Sequence, residues 1–346
     1  MKDIVWIGRF RGSGGFATAA REYVLATREA GIDLRIAPLM ETLENDDPLH
    51  AFEAPLPLPD DTFRILNHQP IMDPDAQAFL SVWEYDRIPN EWVDSFDQAV
   101  VVMTQSTFCR DMFACQVSDP SKIHVVPYIV PAQYRPKGDV YHFAPPGTFV
   151  FGSVFEWVPR KVPELTIQAF TEEFGPEEPV RLVLRTSHPE GEDTRAIVRK
   201  LSDDPRIIVL PSALPELSGF YRGLDACTCC TAGEGFNQTL AEAMACGIPV
   251  IASRHSGNLD FMDDSNSYLA DVEDWSPVPG TDVDGECLYW RKPVVASIRE
   301  CMRKVYTEMT ELGTASKRAD PRSFRAKYSR AKIGATIAKL LRDYAT

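Results

Sequence analysis

Residues 226–252 decide the fold of this chain, and their sequence is ACTCCTAGEGFNQTLAEAMACGIPVIA. Residues 226–230 predict a short buried strand, and residues 240–246 predict an apolar helix. Gly247 ends the helix, and residues 249–252 predict the next strand. The order of strand, loop, helix and strand is typical of an α/β domain.

Two carboxylates flank the start of this helix: Glu234 lies in the loop, and Glu242 follows after seven intervening residues. The first-turn amides, residues 236–239, have no partner within the helix, and the helix dipole adds partial positive charge there. An anion such as a diphosphate is therefore bound at this point without a metal. Glu234 then faces the group attached to the phosphate, and Glu242 faces the nucleoside side. The alternative is a capped amphipathic helix with a surface glutamate at each end.

Strands and helices are predicted to alternate along the rest of the chain. Before the middle of the chain, strands are predicted at 4–7, 34–37, 64–67, 80–83, 99–103 and 123–126, and helices at 16–30, 90–96 and 107–115. After it, strands are predicted at 149–154, 180–185 and 207–210, and helices at 163–174, 193–201, 214–222, 294–312 and 322–344. This alternation is typical of mostly parallel sheets covered by helices on both faces.

An interdomain linker is predicted at residues 128–147, which lack periodicity and contain four prolines. Residues 271–289 predict an irregular excursion. A chain of 346 residues is long enough for two domains of ordinary size.

Composition limits the class of partner and the compartment. The net charge of −14 argues against nucleic acid and against an anionic membrane surface, and residues 1–145 alone carry 12 basic and 21 acidic residues, or −9. The eight scattered cysteines form no disulfide framework. Without a long apolar run or a signal-peptide pattern, we expect a cytoplasmic protein. The oligomeric state is left open.

The passage with Glu234 and Glu242 resembles the E-x7-E signature of the retaining glycosyltransferases of family 4. The resemblance implies an α/β fold of the GT-B type, in which two Rossmann-like parallel-sheet domains face each other across a cleft. It covers nearly the whole chain and is specific mainly over residues 149–271. We therefore predict an acceptor-side domain at 1–145, with a C-terminal helix at 325–346 packing back on it. A nucleotide-sugar-binding domain is predicted at 146–324.

The resemblance also implies roles for individual residues of the donor site. Lys161 and the helix start stabilise the departing diphosphate, Glu234 and His68 orient the sugar, and Glu242 anchors the ribose. The remaining donor-binding residues that it implies are Gly14, Gly15, Arg160, Phe236, Asn237, Gln238 and Thr239.

One position departs from the family pattern. The family places cations at two positions five residues apart, and Glu156 occupies the first of them while Lys161 occupies the second. A carboxylate there works against the leaving group unless Arg160 or Arg9 compensates.

Two motifs of the first half have alternative interpretations. Gly12, Gly14 and Gly15 form a G-x-G-G pattern, but Ala37 and Pro38 stand where a dinucleotide-binding domain needs an acidic residue, which disfavours a dehydrogenase. The other motif is the W-E-x-D-x-x-P run of residues 83–89. Its Glu84 and Asp86 either bind acceptor hydroxyls or pair with Arg87 and cap the next helix.

No metal or other cofactor is expected. Cys227 and Cys230 are three positions apart in a strand and so point to opposite faces. Residues 282–284 form an Asp-Val-Asp motif within the predicted irregular excursion. The resemblance places the nucleobase near residues 210–213, and a UDP-sugar is favoured over a GDP-sugar.

The sequence thus predicts a retaining, metal-independent hexosyltransferase that uses a nucleotide diphosphate sugar and a small-molecule or glycan acceptor. One alternative, suggested by Glu156, is a catalytically weakened binding subunit. The other is a sugar-nucleotide epimerase of the GT-B fold.

Overall fold

The computed structural model describes residues 3–12, 14–44, 46–73, 75–210, 216–281 and 287–345. The chain divides into two compact units, one of residues 1–131 with 326–346 and one of residues 132–325. Each unit is built around a six-stranded sheet in which every neighbouring pair of strands is parallel. The predicted α/β class with two parallel sheets is therefore confirmed.

The first unit has the strand order β2-β1-β3-β4-β5-β6. Its strands are β1 (Ile4–Gly8), β2 (Leu34–Pro38), β3 (Phe63–Asn67), β4 (Ala78–Leu80), β5 (Val101–Thr104) and β6 (Ile123–Val125). Its first three helices are α1 (Gly15–Glu29), α2 (Asn90–Gln98) and α3 (Thr107–Ala114). Most residues of these strands are apolar and buried, as a parallel sheet with both faces covered requires. Phe79, Phe96 and Phe113 belong to one core cluster, and each contributes about 1.5–3 kcal/mol through burial.

The second unit has the strand order β12-β11-β10-β7-β8-β9. Its strands are β7 (Phe149–Glu156), β8 (Val180–Ser187), β9 (Ile207–Leu210), β10 (Ala226–Cys229), β11 (Val250–Ser253) and β12 (Tyr268–Ala270). Its helices are α4 (Pro163–Glu173), α5 (Thr194–Leu201), α6 (Leu217–Arg222), α7 (Gln238–Ala245) and α8 (Val295–Glu311). The irregular excursion contains the short antiparallel pair β13 (Ser276–Pro277) and β14 (Tyr289–Trp290).

The boundary between the units falls after Pro131 rather than after residue 145. Residues 132–145 pack on α6 of the second unit. The Tyr141 amide donates to the Gly219 carbonyl at 3.1 Å, and the Arg222 side chain donates to the Asp139 carbonyl at 2.6 Å. These bonds satisfy the backbone of a segment that lacks a helix or strand of its own.

The chain ends in two helices, α9 (Pro321–Lys327) and α10 (Arg330–Tyr344), where the sequence predicted one. Ser329 begins α10, because its hydroxyl accepts the Lys332 amide, and the Tyr328 carbonyl accepts the Val130 amide at 2.9 Å. The α10 helix packs closely on α1, since a Cβ at Gly334 would lie 2.3 Å from the Ala26 carbonyl oxygen. Within the described residues, no helix combines the length and the apolar character needed to span a membrane.

Candidate active site

Three loops meet at the carboxyl ends of the adjacent strands β7, β10 and β11. The Ala232 amide donates to the Arg160 carbonyl at 2.8 Å, which joins the first loop to the second. The Glu234 amide donates to the Ser256 hydroxyl at 3.0 Å, and the Gly257 amide donates to the Glu234 carbonyl at 2.9 Å. The loop with Glu234 is therefore held from both sides, at the edge of the sheet where α/β proteins bind ligands.

A buried ion cluster lies at the centre of these loops. Glu234 is only 4% exposed. Its Oε1 accepts from Lys161 Nζ at 2.6 Å, and its Oε2 lies 3.4 Å from Arg160 Nη1. Burial acts to raise the pKa of Glu234, but the two cations more than offset it and hold the pKa below its ordinary value. The cluster contains two positive charges and one negative charge.

Local backbone geometry explains how both loops reach this position. The turn Pro159–Lys161 is followed by Val162 in the left-handed conformation, with a φ of 35°, and Pro163 then begins α4. In the opposite loop, a Cβ at Gly257 would lie 2.2 Å from the Gly235 carbonyl oxygen. Only glycine permits this approach.

The start of α7 has the donors that an anion needs. Asn237 is left-handed, with a φ of 74°, and its side chain accepts the Leu240 amide at 3.3 Å. The next amide, of Ala241, donates to the Asn237 carbonyl. Within the described part of the chain, the amides of Gln238 and Thr239 donate to no protein acceptor, so two N–H groups remain at the positive end of the helix dipole.

Glu242 lies inside α7 and has different surroundings from Glu234. It is 6% exposed, and its Oε2 accepts the Tyr221 hydroxyl at 3.0 Å. Tyr221 is fully buried in α6. The interpretation of the two glutamates as surface residues is therefore wrong for both.

Glu156 makes no hydrogen bond or ion pair with the described residues of the ion cluster. It is exposed at the end of β7, and among the described residues it has neither a hydrogen bond nor an ion pair of its side chain. Arg160 instead contacts Glu234 and donates to the Gly233 carbonyl at 3.2 Å.

The first unit brings two of its predicted residues to one end of its sheet. His68 follows β3, and Gly14 precedes α1 after β1, the neighbouring strand. The ring of His68 lies 6.1 Å from that of Phe16, which is 54% exposed. Burial, and then the charge of Arg9, lower the pKa of His68, so the ring is neutral at pH 7. Within the described residues, its Nδ1 is buried and has no partner.

Glu84 and Asp86 follow β4 in the same unit. Asp86 Oδ2 accepts from Arg87 Nε at 3.3 Å, as one interpretation of the motif expects. Helix α2 nevertheless begins without a side-chain hydrogen bond at its cap. Their role as acceptor ligands stays a prediction.

Few of the described groups are arranged to hold a metal. His188, Glu190 and Glu192, in the loop after β8, have ligand atoms within 4.8 Å of one another, and both carboxylates are exposed. Burial raises the pKa of the Cys227 and Cys230 thiols, which keeps them protonated. The Asp-Val-Asp motif at 282–284 and residues 211–213 of the predicted nucleobase segment at 210–213 lie outside the described residues.

Sequence reasoning missed three residues of this site: Ser256, Gly257 and Tyr221. Ser256 and Gly257 follow β11, so the rule that loops after parallel strands meet at one edge was the available signal. No local pattern identified Tyr221, because its contact with Glu242 joins two different helices.

Residues 146–277 match the family described as Glycosyl transferases group 1. A curated relative, the D-inositol 3-phosphate glycosyltransferase of Xylanimonas cellulosilytica, is 29% identical over 226 residues. That alignment spans 58% of this chain and about half of the relative, 51% of its length.

Solved structures share the fold across the chain. Anabaena HepE in complex with UDP-glucose has a TM-score of 0.70 and 14% identity, covering 99% of this chain and 100% of that one. Sucrose-phosphate synthase from Thermosynechococcus elongatus has a TM-score of 0.71 and 14% identity, covering 99% of each chain. These likenesses confirm the predicted GT-B fold.

Proposed function

We infer from the match of residues 146–277 to the family described as Glycosyl transferases group 1 that this protein is a nucleotide-sugar-dependent glycosyltransferase. We propose that it transfers a hexose from a nucleotide diphosphate sugar with retention of anomeric configuration. A UDP-sugar is the favoured donor, since HepE, which shares the fold, was solved with UDP-glucose. The acceptor is a small molecule or a glycan.

The observation that carries this proposal is the ion cluster of Lys161, Arg160 and Glu234 beside the start of α7. Lys161 and Arg160 place two cations at this point, and the amides of Gln238 and Thr239 add two hydrogen-bond donors at the helix N-terminus. A diphosphate is stabilised both by positive charge and by hydrogen-bond donors. Together, these groups replace the divalent cation that binds phosphate in other sites. No metal or other cofactor takes part in the proposed reaction.

Each charged group of the site then has a separate role. Lys161 and Arg160, with the first turn of α7 from Phe236 to Thr239, stabilise charge on the leaving diphosphate. Glu234 lies between this turn and the sugar and accepts hydrogen bonds from sugar hydroxyls. Glu242 accepts hydrogen bonds from the ribose.

The first unit supplies the remaining proposed contacts. The neutral ring of His68 is suited to hydrogen bonding with a sugar hydroxyl rather than to charge stabilisation. Gly14 and Gly15 approach the diphosphate at the glycine loop, and Glu84 and Asp86 bind acceptor hydroxyls.

A two-step assay tests the proposed function. Thermal unfolding is measured with UDP-glucose, GDP-mannose, UDP and GDP, because a ligand at about 100 times its Kd adds roughly 2.7 kcal/mol of stability. Release of nucleoside diphosphate is then measured with and without candidate acceptors. A glycosyltransferase releases it faster with acceptor, an epimerase interconverts sugars without release, and a binding subunit does neither.

A further inference from the structure

Tyr221 and Glu242 form a buried pair that the proposed reaction does not by itself explain. The Tyr221 hydroxyl donates to Glu242 Oε2 at 3.0 Å, and both side chains are buried, one in α6 and the other in α7. Burial, and then the charge of Glu242, raise the pKa of Tyr221 well above its ordinary value. The phenol is therefore protonated and is the donor at every pH at which the protein is used.

A second tyrosine stands beside this pair. The ring of Tyr134 lies 5.9 Å from that of Tyr221 in an edge-on arrangement, and Tyr134 is buried. This packing limits rotation of the Tyr221 ring, so the hydroxyl has one direction relative to Glu242.

A carboxylate held in this way is oriented before a ligand arrives. A free glutamate side chain rotates about three bonds, and ordering it costs up to about 1.5–2 kcal/mol. The Tyr134 side chain also hydrogen-bonds to Glu242. A carboxylate has two oxygens with about four acceptor sites, so Glu242 can accept from both phenols and from a vicinal diol.

We propose that Tyr221 is a positioning residue that orients Glu242 toward the ribose diol and so sets the preference for ribonucleotides over deoxyribonucleotides. This inference rests on the proposed function, because it assigns the ribose of the donor to Glu242. Tyr221 itself touches neither the sugar nor the phosphates.

The test compares Kd values for UDP and for 2′,3′-dideoxy-UDP, measured by isothermal titration, with GDP and its dideoxy form substituted if GDP binds more tightly. Tyr221→Phe keeps the ring and removes the hydroxyl. We expect it to weaken UDP binding about fivefold, the effect of one net hydrogen bond of about 1 kcal/mol, and to leave dideoxy-UDP binding unchanged. In a Glu242→Ala background, the same substitution should have no effect on either ligand.

Tyr268→Phe is the matched control, since the Tyr268 hydroxyl also donates to a glutamate of the second unit, Glu308. It should lower the melting temperature as Tyr221→Phe does and change neither Kd. Equal weakening of both ligands by Tyr221→Phe would show a general structural role and overturn the inference alone. Failure of the wild-type protein to bind any nucleoside diphosphate would overturn the proposed function together with it.

Discussion

Replacement of Lys161 by methionine leaves a buried carboxylate without its closest partner. The Lys161 Nζ to Glu234 Oε1 distance is 2.6 Å, and the Glu234 side chain is almost inaccessible to water. Breaking a buried ion pair on one side costs about 3–5 kcal/mol. Arg160 remains 3.4 Å from Oε2, so we expect the lower end, about 3 kcal/mol. In a domain of 150–250 residues this corresponds to a fall of roughly 6–12 °C in melting temperature.

The pH dependence of this loss follows from the pKa of Glu234. Because that pKa is lower in the folded protein than its ordinary value of 4.5, the ionised carboxylate stabilises the fold above pH 4.5. This contribution disappears as the pH falls through the folded-state pKa. In Lys161→Met, the Lys161 charge no longer opposes the effect of burial, so the pKa of Glu234 rises. The difference in unfolding free energy between wild type and variant should therefore be largest at pH 7 and should shrink below pH 4.5.

The assay is thermal unfolding between pH 3.5 and pH 8. Lys317→Met is the matched control, because Lys317 pairs at 3.2 Å with Asp264, whose side chain is 60% exposed, and such surface pairs contribute about 0–1 kcal/mol. A Lys161→Met variant no less stable than Lys317→Met, or one whose loss is the same at every pH, would refute the assignment of a buried, compensated Glu234.

Three further predictions concern the ligand and the loops. Glu242→Ala should weaken binding of the donor and of the free nucleoside diphosphate alike, whereas Glu234→Ala should weaken mainly binding of the donor. Titrations in which both variants lose equal affinity for both ligands would contradict this division of roles. If Lys161 and the amides at the start of α7 bind the diphosphate as proposed, transfer should persist in EDTA. Complete loss of transfer that manganese reverses would contradict this. Gly257→Ala should destabilise the second unit by about 1–3 kcal/mol and abolish donor binding, since its Cβ meets the Gly235 carbonyl oxygen at 2.2 Å. Gly175→Ala, whose Cβ would meet only the end of the Glu178 side chain at 3.7 Å, is its control, and an equal effect of both substitutions would argue against a special role for the Glu234 loop.

The sequence predicted most strands and helices because parallel sheets need continuous apolar runs. The strand, loop, helix and strand around residues 226–252 appear at nearly the predicted bounds, with Gly247 in the left-handed conformation after α7. The sequence did not predict the break between α9 and α10. Residues 327–330 contain no proline or glycine, and at the break the Tyr328 carbonyl accepts a long-range hydrogen bond from the Val130 amide.

The sequence predicted which residues form much of the candidate site, but not the contacts between them. Helix and strand periodicity places Lys161 and Glu234 at one edge of a sheet, yet it cannot reveal that they pair with each other at 2.6 Å. Contacts between distant segments, such as Ser256 with Glu234 and Tyr221 with Glu242, depend on packing that no local pattern encodes. The family pattern likewise predicted that Glu156 lies near the donor phosphates, but the Glu156 side chain is exposed.

Proton NMR of the sugar released from UDP-glucose tests the central claim most directly. The protein is incubated with the donor, first in water alone and then with an acceptor, and the anomeric signals are followed before mutarotation is complete. A retaining glycosyltransferase that uses Glu234 should release α-glucose or form an α-linked product together with UDP, and Glu234→Ala should slow both. Release of β-glucose first would contradict retention. Conversion of the donor to another UDP-sugar without free UDP would contradict transfer itself.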